Sequence, residues 1–422
     1  MSDNNKLKTI CVIGLGYIGL PTAVVLASRG MSVIGVDVNK DVVAKINRGE
    51  IHIVEPDLDA VTARVVQNKL LCAATAPMAA DAFVIAVPTP FHDGKADLSY
   101  VHAAAASVAP MLKAGDLVVL ESTSPPGTTE GITAQLAKLR PDLSFPSVGN
   151  DTCDIHVAYC PERVLPGRVL IELVENDRVI GGMTPQCSAR AEELYRIFCT
   201  GSLLKTGVRT AEMCKLTENS FRDINIAFAN ELSVICDKLD INVWELIRLA
   251  NHHPRVNILQ PGPGVGGHCI AVDPWFIVAA APTASRLIRT AREVNDDKPS
   301  YVLEKIRSAV AGARSAGTQA KVALLGLAFK PDVDDFRESP ALRIAQVVAG
   351  WNDCTVLISE PHAQTLPCPL ASYKHVRLVS DASVAIRDAH IVVMLVNHRV
   401  YNKIPREALK DKAVIDTRGV WS

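Results

Sequence analysis

The stretch that decides the fold is Thr9–Pro21, which reads TICVIGLGYIGLP. An uncharged apolar run leads into Gly14, Gly16 and Gly19 in the spacing GxGxxG, and a helical pattern follows the last glycine. Asp37 lies 18 residues beyond Gly19, at the end of the next apolar run. A strand, a glycine turn, a helix and an acid in this order are typical of a Rossmann dinucleotide-binding unit.

The residue types in this stretch predict the cofactor. The glycines permit a tight turn close to a pyrophosphate, and the helix N-terminus offers N–H groups to it. Asp37 can accept from a ribose 2′-hydroxyl and would repel a 2′-phosphate, so NAD is preferred to NADP, with FAD as the remaining alternative. A glycine turn needed only for packing is the competing explanation. The predicted cofactor-binding residues of this turn are Gly14, Gly16, Tyr17, Ile18, Gly19 and Asp37.

Short apolar runs alternate with helical patterns over the first half of the chain, which predicts βαβ units and a parallel sheet. The predicted strands include Thr9–Ile13, Ser32–Val36, Ala82–Val87 and Leu117–Leu120, and the predicted helices include Tyr100–Leu112 and Thr128–Leu139. Thr89 and Thr123 lie just past two of these strands, at the edge where ligands bind in such sheets. Ordinary turn chemistry beside prolines explains the two threonines equally well.

The pattern becomes helical near residue 210. A stretch without proline or glycine from Thr210 to Asp240 predicts one long helix, and further helices are predicted over Val243–Asn251 and Thr283–Val294. A continuation of the last helix after Pro299 stays open. Residues 312–320 are typical of a linker, after which βα alternation returns. We therefore predict an α/β protein with an N-terminal Rossmann NAD domain (residues 1–205), a helical central or dimerisation domain (206–311) and a C-terminal Rossmann-like domain (312–422).

Composition excludes several classes of function. Lys plus Arg is 44 and Asp plus Glu is 45, so a protein that binds nucleic acid or a membrane surface through a broad basic field is not expected. Ile10–Ser28 lacks charge, but its glycines and proline argue against a transmembrane span. The first residues, MSDNNKLK, do not resemble a signal peptide, and the eleven cysteines form no CxxC pair. We expect a cytoplasmic protein with reduced thiols and no metal site.

Two further patterns carry candidate chemistry. Cys269 follows a glycine-rich loop, which would give a substrate room to approach the thiol, and a helix starting nearby would lower the pKa of that thiol. A small buried cysteine is the competing explanation. Lys215, Asn219, Arg222 and Ile226 have the spacing of one helix face. A lysine and an asparagine one turn apart can take the proton of a hydroxyl and hold its oxygen, and a solvated polar face explains the same spacing.

In this order the motifs resemble the UDP-glucose/GDP-mannose dehydrogenase family, over essentially the whole chain. The motifs are GGHCIAVDP around Cys269, AEMCKLTEN around Lys215, CPERVLPG around Glu162 and FKPDVDDFRES around Arg337. The resemblance implies an enzyme that oxidises the C6 alcohol of a UDP-sugar to a carboxylate with two NAD. It also implies that the C-terminal domain binds the nucleotide sugar and that the protein is a homodimer.

The resemblance implies roles for individual residues. The implied catalytic residues are Cys269 (nucleophile), Asp273 (its supporting acid), Lys215 (acid/base), Asn219 (oxyanion or hydroxyl partner) and Glu162 (assisting hydrolysis). The implied substrate-binding residues are Arg163, Val164, Lys215, Asn219, Arg222, His253, Arg255, Gly266, Lys330 and Arg418. The resemblance adds Arg337 to the cofactor-binding residues and implies that Arg255 reaches a sugar site across the dimer.

Two departures separate the chain from the UDP-glucose branch of the family. PERVLPG stands where that branch has PEFLxEG, and Val272 stands where it has a lysine before the aspartate. Both motifs are similar to the N-acetylhexosamine branch, which implies UDP-N-acetyl-D-mannosamine as substrate, oxidised for surface polysaccharide such as enterobacterial common antigen. UDP-GlcNAc, UDP-GalNAc and UDP-glucose stay open as substrates. A two-electron hydroxyacid dehydrogenase and a non-catalytic NAD or redox sensor stay open as functions.

Overall fold

The computed structural model describes residues 7–92, 94–147, 152–165, 167–267, 269–315, 317 and 319–421. The chain divides into two compact units, one ending at Glu218 and the other beginning at Asn219. Among the helices in the described ranges, none combines the length and apolar character needed to cross a membrane.

The first unit is organised by a mostly parallel sheet. Its strands are, in chain order, β1 (Thr9–Ile13), β2 (Ser32–Val36), β3 (Leu71–Ala74), β4 (Ala82–Ile85), β5 (Phe91–His92), β6 (Lys95–Ala96), β7 (Leu117–Leu120), β8 (His156–Tyr159), β9 (Arg178–Gly182) and β10 (Leu203–Gly207). The sheet has the order β10-β9-β8-β7-β4-β1-β2-β3, and β5 pairs with β6. Strands β2, β1, β4, β7 and β8 run parallel, so their carboxyl ends share one edge.

Helices cover both faces of this sheet. They are α1 (Gly19–Ser28), α2 (Lys40–Asn47), α3 (Leu58–Gln67), α4 (Ser99–Val108), α5 (Thr128–Leu139), α6 (Val169–Glu175), α7 (Pro185–Tyr195) and the start of α8 (Val208–Lys238). Alternate residues of the central strands belong to separate apolar clusters on the two faces, as Ile10 and Cys11 of β1 do. Burial on both faces explains why these strands appear in the sequence as continuous apolar runs.

The second unit contains the rest of α8 and a second parallel sheet. Its other helices are α9 (Val243–Ala250), α10 (Asp273–Ala280), α11 (Arg286–Ser315), α12 (Pro340–Ala349) and α13 (Ala382–Asp388). Its strands are β11 (Ala320–Leu325), β12 (Cys354–Ser359), β13 (Val376–Leu378), β14 (Ile391–Met394) and β15 (Ala413–Asp416). They pair in parallel in the order β13-β12-β11-β14-β15.

The predicted α/β class and the second Rossmann-like sheet are confirmed, and three local predictions differ from the structure in their bounds. Residues 312–315 of the predicted linker belong to α11, which extends to Ser315, and its last residue, Ala320, begins β11. The third helix of the middle segment begins at Arg286 rather than Thr283, and it does continue past Pro299, as one element. Strand β4 ends at Ile85, so the prolines that follow lie outside it.

A buried polar network holds α8 against α11 in the second unit. The Arg292 guanidinium donates to the Asp223 carboxylate at 2.6 Å, and the Asn295 amide donates to the same oxygen at 2.8 Å. The Asn230 amide donates to the Asn295 side-chain oxygen, and the Asn230 side-chain oxygen accepts from the backbone N–H of Gly262, each at 2.8 Å. The network therefore fixes the start of the glycine loop relative to both helices.

Candidate active site

The glycine turn after β1 is shaped by the protein at two positions and open at a third. Gly14 has φ of +92°, and its N–H donates to the Val36 carbonyl at 2.8 Å. A Cβ on Gly14 would lie 2.6 Å from the Ala86 carbonyl oxygen, and one on Gly19 would lie 1.8 Å from the Gly14 carbonyl oxygen. A Cβ on Gly16 would meet no protein atom within 4 Å. Internal packing explains two glycines, whereas Gly16 borders open space, as a pyrophosphate-binding turn requires.

Asp37 is held at the carboxyl end of β2 with its side chain half-exposed. One carboxylate oxygen accepts the Leu15 N–H at 3.0 Å, and the other accepts the Asn39 N–H at 2.9 Å. Each oxygen keeps a second lone pair, so the group can still accept from the hydroxyls of a ribose. The N-cap position of α1 is Ile18, which has no polar side chain to compete for the first N–H groups of the helix.

The two predicted threonines lie on the same edge of the sheet. Thr89 follows β4 and Thr123 follows β7, and neither is fully buried. The Ser122 hydroxyl joins the two loops by donating to the Val87 carbonyl at 2.7 Å. The structure thus places the glycine turn, Asp37 and both threonines at the carboxyl ends of adjacent parallel strands.

The loop after β8 brings Glu162 to Lys215 of α8. The Lys215 ammonium donates to the Glu162 backbone carbonyl at 2.7 Å and lies 3.9 Å from its carboxylate. The other carboxylate oxygen accepts the Val164 N–H. The two side chains are only 11% and 14% exposed. Burial raises the pKa of Glu162, and the positive charge of Lys215 opposes that rise.

The neighbouring Arg163 is engaged with protein atoms. Its guanidinium donates to Glu218 of α8 at 2.7 and 3.1 Å and to the Asp177 carbonyl at 3.2 Å. This two-point salt bridge ties the loop to the helix that carries Lys215. The substrate-binding role of Arg163 stays a prediction, and it would require the guanidinium to leave Glu218.

Two buried carboxylates near these residues were not singled out by sequence reasoning. Glu212 of α8 accepts from the Gly127 and Thr129 N–H groups at 2.6 and 2.8 Å, at the N-terminus of α5. Glu121, next to the Thr123 loop, accepts from the Tyr195 hydroxyl at 2.7 Å and lies 3.9 Å from Arg178. A carboxylate against a helix N-terminus is stabilising, so Glu212 anchors the beginning of α8. The sequence feature that could have identified Glu212 is its place in the AEMCK motif, three residues before Lys215.

In the second unit, two predicted catalytic residues are in contact. The Asn219 amide donates to the Asp273 carboxylate at 2.5 Å, and Asp273 is 3% exposed. Asp273 is the first residue of α10, and its N–H donates to the Cys269 carbonyl at 2.8 Å. Cys269 itself is exposed. The thiol is therefore accessible and stands one turn before the helix rather than within it.

The glycines before Cys269 are needed for a different reason from the one predicted. A Cβ on Gly262 would lie 2.6 Å from the Arg418 guanidinium, and one on Gly266 would lie 2.4 Å from the Glu338 carbonyl oxygen. A Cβ on Gly267 would lie 3.2 Å from a ring carbon of Phe329, at the limit of contact. The prediction that these glycines leave room for a substrate is wrong at these positions, because protein atoms occupy the space. They let the loop lie directly against the C-terminal Rossmann-like part of its unit.

The remaining predicted binding residues differ in their surroundings. Arg222, His253 and Arg255 are exposed. Arg337 pairs with Asp335 at 2.7 and 2.9 Å. Lys330 is half-buried and lies 5.5 Å from the centroid of the Phe329 ring.

Arg418 lies at the start of the glycine loop, where a Cβ on Gly262 would meet its guanidinium. Its guanidinium donates to the Leu395 carbonyl at 3.2 Å, and burial lowers its pKa to about 10. Together with the Gly262 contact, this places Arg418 as a packing partner of the loop as well as a candidate ligand for an anion.

Comparison with known proteins decides the family. Residues 8–199 match the NAD binding domain of the UDP-glucose/GDP-mannose dehydrogenase family, residues 209–297 its central domain and residues 323–422 its UDP binding domain. The chain belongs to the UDP-glucose/GDP-mannose dehydrogenase family. It is accordingly an NAD-dependent dehydrogenase, and the glycine turn with Asp37 lies within the part of the chain that matches the NAD binding domain.

Several relatives align over nearly the full chain. UDP-N-acetyl-D-mannosamine dehydrogenase of Yersinia pestis is 59% identical, covering 99% of this chain and 100% of its own. NDP-N-acetyl-D-galactosaminuronic acid dehydrogenase of Ralstonia nicotianae is also 59% identical, covering 98% and 96%. The structure of UDP-D-ManNAc dehydrogenase from Pyrococcus horikoshii superposes with a TM-score of 0.85 at 37% identity, covering 98% of this chain and 96% of that one.

The open position at Gly16 gives a paired prediction. Gly16→Ala should raise the KM for NAD roughly tenfold or more while leaving the melting temperature unchanged, because the added methyl group contacts only the pyrophosphate. Gly19→Ala should lower the melting temperature, since its Cβ overlaps the Gly14 carbonyl, at a cost of about 1–3 kcal/mol. Steady-state kinetics and thermal unfolding separate the two. An unchanged KM for NAD in Gly16→Ala would show that the pyrophosphate does not bind next to Gly16.

Proposed function

We propose that this enzyme oxidises the C6 alcohol of UDP-N-acetyl-D-mannosamine to the carboxylate, giving UDP-N-acetyl-D-mannosaminuronate. The observation that carries the reaction type is the combination of an exposed thiol, Cys269, with a buried Lys215–Glu162 pair in a chain that has NAD binding and UDP binding domains. A simple alcohol dehydrogenase requires no nucleophilic thiol. A four-electron oxidation requires one, because the intermediate aldehyde is a poor hydride donor until a nucleophile adds to it.

The proposed chemistry assigns one task to each residue. Bound NAD would accept one hydride in each of two successive oxidations. Lys215, or a water that it holds, takes the proton of the C6 hydroxyl as the aldehyde forms. The Cys269 sulfur then adds to the aldehyde carbon to give a thiohemiacetal, whose loss of a second hydride leaves a thioester. Asn219 holds the oxygen on which negative charge develops, and its bond to Asp273 orients the amide.

Hydrolysis of the thioester completes the reaction. Water adds to the carbonyl carbon, the C–S bond breaks, and the sugar carboxylate and the Cys269 thiol are released. Glu162 is the proposed base for this water, because burial raises its pKa and so makes its carboxylate a stronger proton acceptor. In sum, one alcohol, one water and two NAD+ would give one carboxylate, two NADH and three protons.

The sugar is the part of the proposal on which the relatives divide. The Yersinia and Ralstonia enzymes are equally identical to this chain, so overall identity does not choose between UDP-N-acetyl-D-mannosamine and an N-acetylgalactosamine derivative. Among solved structures, the Pyrococcus UDP-D-ManNAc dehydrogenase is 37% identical to this chain and an NDP-N-acetyl-D-galactosaminuronic acid dehydrogenase of Methanosarcina mazei is 30% identical, which supports the mannosamine derivative.

A substrate panel tests the proposal. The enzyme would be assayed with UDP-ManNAc, UDP-GlcNAc, UDP-GalNAc, UDP-glucose and GDP-mannose, following NADH and the NADH yield per sugar. We expect two NADH per sugar and a kcat/KM for UDP-ManNAc at least about tenfold above the others. Turnover of UDP-GalNAc or UDP-glucose alone would identify that sugar as the substrate in place of UDP-ManNAc. One NADH per sugar would indicate a two-electron dehydrogenase. NAD binding without turnover of any sugar would indicate a sensor.

The proposal extends to assembly and location. We propose a homodimer in which the exposed Arg255 reaches the partner's sugar site, and three domains bounded as 1–205, 206–311 and 312–422. The need for a reduced thiol at Cys269 supports action in the cytoplasm, where thiols stay reduced. A role in making surface polysaccharide, such as enterobacterial common antigen, follows if the product is the mannosaminuronate.

A further inference from the structure

The NAD turn of the first unit has a defined hydrogen-bond pattern. Gly14 follows the last residue of β1, and its N–H donates to the carbonyl of Val36, the last residue of β2, at 2.8 Å. Asp37 follows Val36 and accepts the Leu15 N–H at 3.0 Å. The acid therefore closes the turn with one side of its carboxylate and faces outward with the other.

The second unit repeats this pattern position by position. Gly326 follows the last residue of β11 with φ of +89°, and its N–H donates to Ser359, the last residue of β12, at 2.8 Å. Glu360 follows Ser359 and accepts the Leu327 N–H at 2.6 Å. Glu360 is thus the counterpart of Asp37, although neither the glycine spacing nor the acid type is retained in the sequence.

The two acids differ in what covers them. Asp37 is half-exposed, whereas Glu360 is 2% exposed and His398, which is 0% exposed, contacts its carboxylate at 3.2 Å through Nε2. The other ring nitrogen of His398, Nδ1, accepts the backbone N–H of Asp332 at 2.9 Å. Since Nδ1 accepts a hydrogen bond, the proton of the neutral ring is on Nε2, which donates to Glu360. A ribose cannot reach this acid.

The buried pair holds both ends of one segment. Glu360 accepts from Leu327 and also from Ala328, at 2.6 and 3.2 Å, and His398 accepts from Asp332. The residues between, 329–331, include Lys330. The Phe329 ring in this segment lies against Gly267, next to the Cys269 loop.

The charge state of Glu360 agrees with this clamp. Burial alone would raise the pKa of Glu360, but the hydrogen bonds from His398 and from the backbone N–H groups of Leu327 and His362 outweigh it and lower the pKa. The carboxylate therefore stays ionised near neutral pH and keeps its full capacity to accept these bonds.

We propose that Glu360 and His398 are positioning residues that fix the backbone of segment 327–332 for binding the UDP moiety of the substrate. Asp37 is the predicted ribose-binding acid of the first unit. Its counterpart in the second unit, Glu360, is buried and orders the segment instead. This inference rests on the proposed function, because it takes the UDP-sugar as the ligand of the second unit. Neither residue needs to touch the substrate.

The test compares two replacements of His398 that differ in one hydrogen bond. His398→Leu removes both bonds, whereas His398→Asn places an amide oxygen near the position of Nδ1 and keeps an acceptor for the Asp332 N–H. His375→Leu is the matched control, because His375 is a half-buried histidine of the same unit whose ring bonds to the Ala349 carbonyl, at 2.9 Å, and not to segment 327–332 among the contacts of the described residues.

Binding of UDP alone is measured by calorimetry, beside the KM values for sugar and for NAD and the melting temperature. We expect His398→Leu to weaken UDP binding and raise the sugar KM about tenfold, with the KM for NAD unchanged. His398→Asn should recover most of this loss, and His375→Leu should show none of it. A folded His398→Leu that binds UDP like the parent overturns the inference, as does an equal loss in both His398 variants with parallel loss of NAD affinity.

The same measurements distinguish this inference from the proposed function. If the parent enzyme binds UDP but oxidises no UDP-sugar in the panel, the proposed function fails while the UDP comparison still decides the role of His398. If His398→Leu does not fold, Glu360→Gln provides the second variant. It keeps an acceptor for Leu327 but loses the charge, and we expect a smaller weakening of UDP binding, about threefold to fivefold.

Discussion

Replacing Cys269 with serine is expected to abolish formation of the uronic acid and to limit the enzyme to at most one NADH per sugar. Cys269 is exposed, so its thiol is accessible to an aldehyde carbon. A serine hydroxyl is a far weaker nucleophile at neutral pH, so the adduct that donates the second hydride does not form. Acid production should fall by about a thousandfold or more, measured by chromatography of the UDP-sugars beside NADH absorbance.

The control for this variant is Cys72→Ser, which alters another exposed cysteine, on the edge strand β3. It should retain the parent rate and two NADH per sugar. Normal acid and two NADH from Cys269→Ser would remove the covalent step from the mechanism. Loss of even the first NADH, with the fold intact by thermal unfolding, would show instead that Cys269 is needed for the alcohol oxidation.

The sequence predicts the interior of the fold well and its margins poorly. Strands β1, β2 and β7 have the predicted bounds because they are buried on both faces and therefore form uninterrupted apolar runs. The edge strands β3 and β10 were missed because Leu71–Ala74 and Leu203–Gly207 are partly or mostly exposed and carry no such run. Edge strands are specified by pairing with a neighbour, which a local pattern does not contain.

The candidate site shows the same division. The turn formed by Gly14, Gly16 and Gly19 beside Asp37 was predictable because its sequence pattern lies within a short stretch, and its role in binding NAD stays a prediction. The bonds from Glu212 to the start of α5 join residues 83 positions apart, which no local spacing reveals. The glycine loop before Cys269 was predicted to leave space for a ligand. Its residues are small because protein atoms from a distant part of the same unit pack directly against them.

Replacing Lys215 with methionine is expected to lower kcat by about a thousandfold with little change in the KM for NAD. The Lys215 amine, or a water that it holds, is the proposed proton acceptor for the C6 hydroxyl, and general-base contributions are typically about a hundredfold to ten-thousandfold. Methionine has a similar length and suits the buried position. Lys205→Met is the control, since the exposed salt bridge from Lys205 to Glu192 contributes little to stability or rate.

The pH dependence of the same variant reports on Glu162. The positive charge of Lys215 opposes the rise that burial imposes on the pKa of Glu162. Removing that charge should raise the pKa further, so Glu162 stays protonated to a higher pH and cannot accept a proton from water. The acidic limb of thioester hydrolysis should therefore move to higher pH in Lys215→Met, measured with the aldehyde of the UDP-sugar as substrate so that the slowed alcohol oxidation is bypassed. In Lys205→Met it should stay where it is in the parent.

Glu162→Gln separates hydrolysis from the two oxidations. The amide cannot take a proton from water, so the thioester on Cys269 should accumulate after both hydride transfers. We expect a burst of two NADH per active site followed by a steady rate reduced about a hundredfold, with the adduct visible by mass spectrometry of the intact protein. A variant that releases acid at the parent rate would transfer the hydrolytic role from Glu162 to another group. In that case Asp273, held by Asn219 at 2.5 Å, is the next residue to replace.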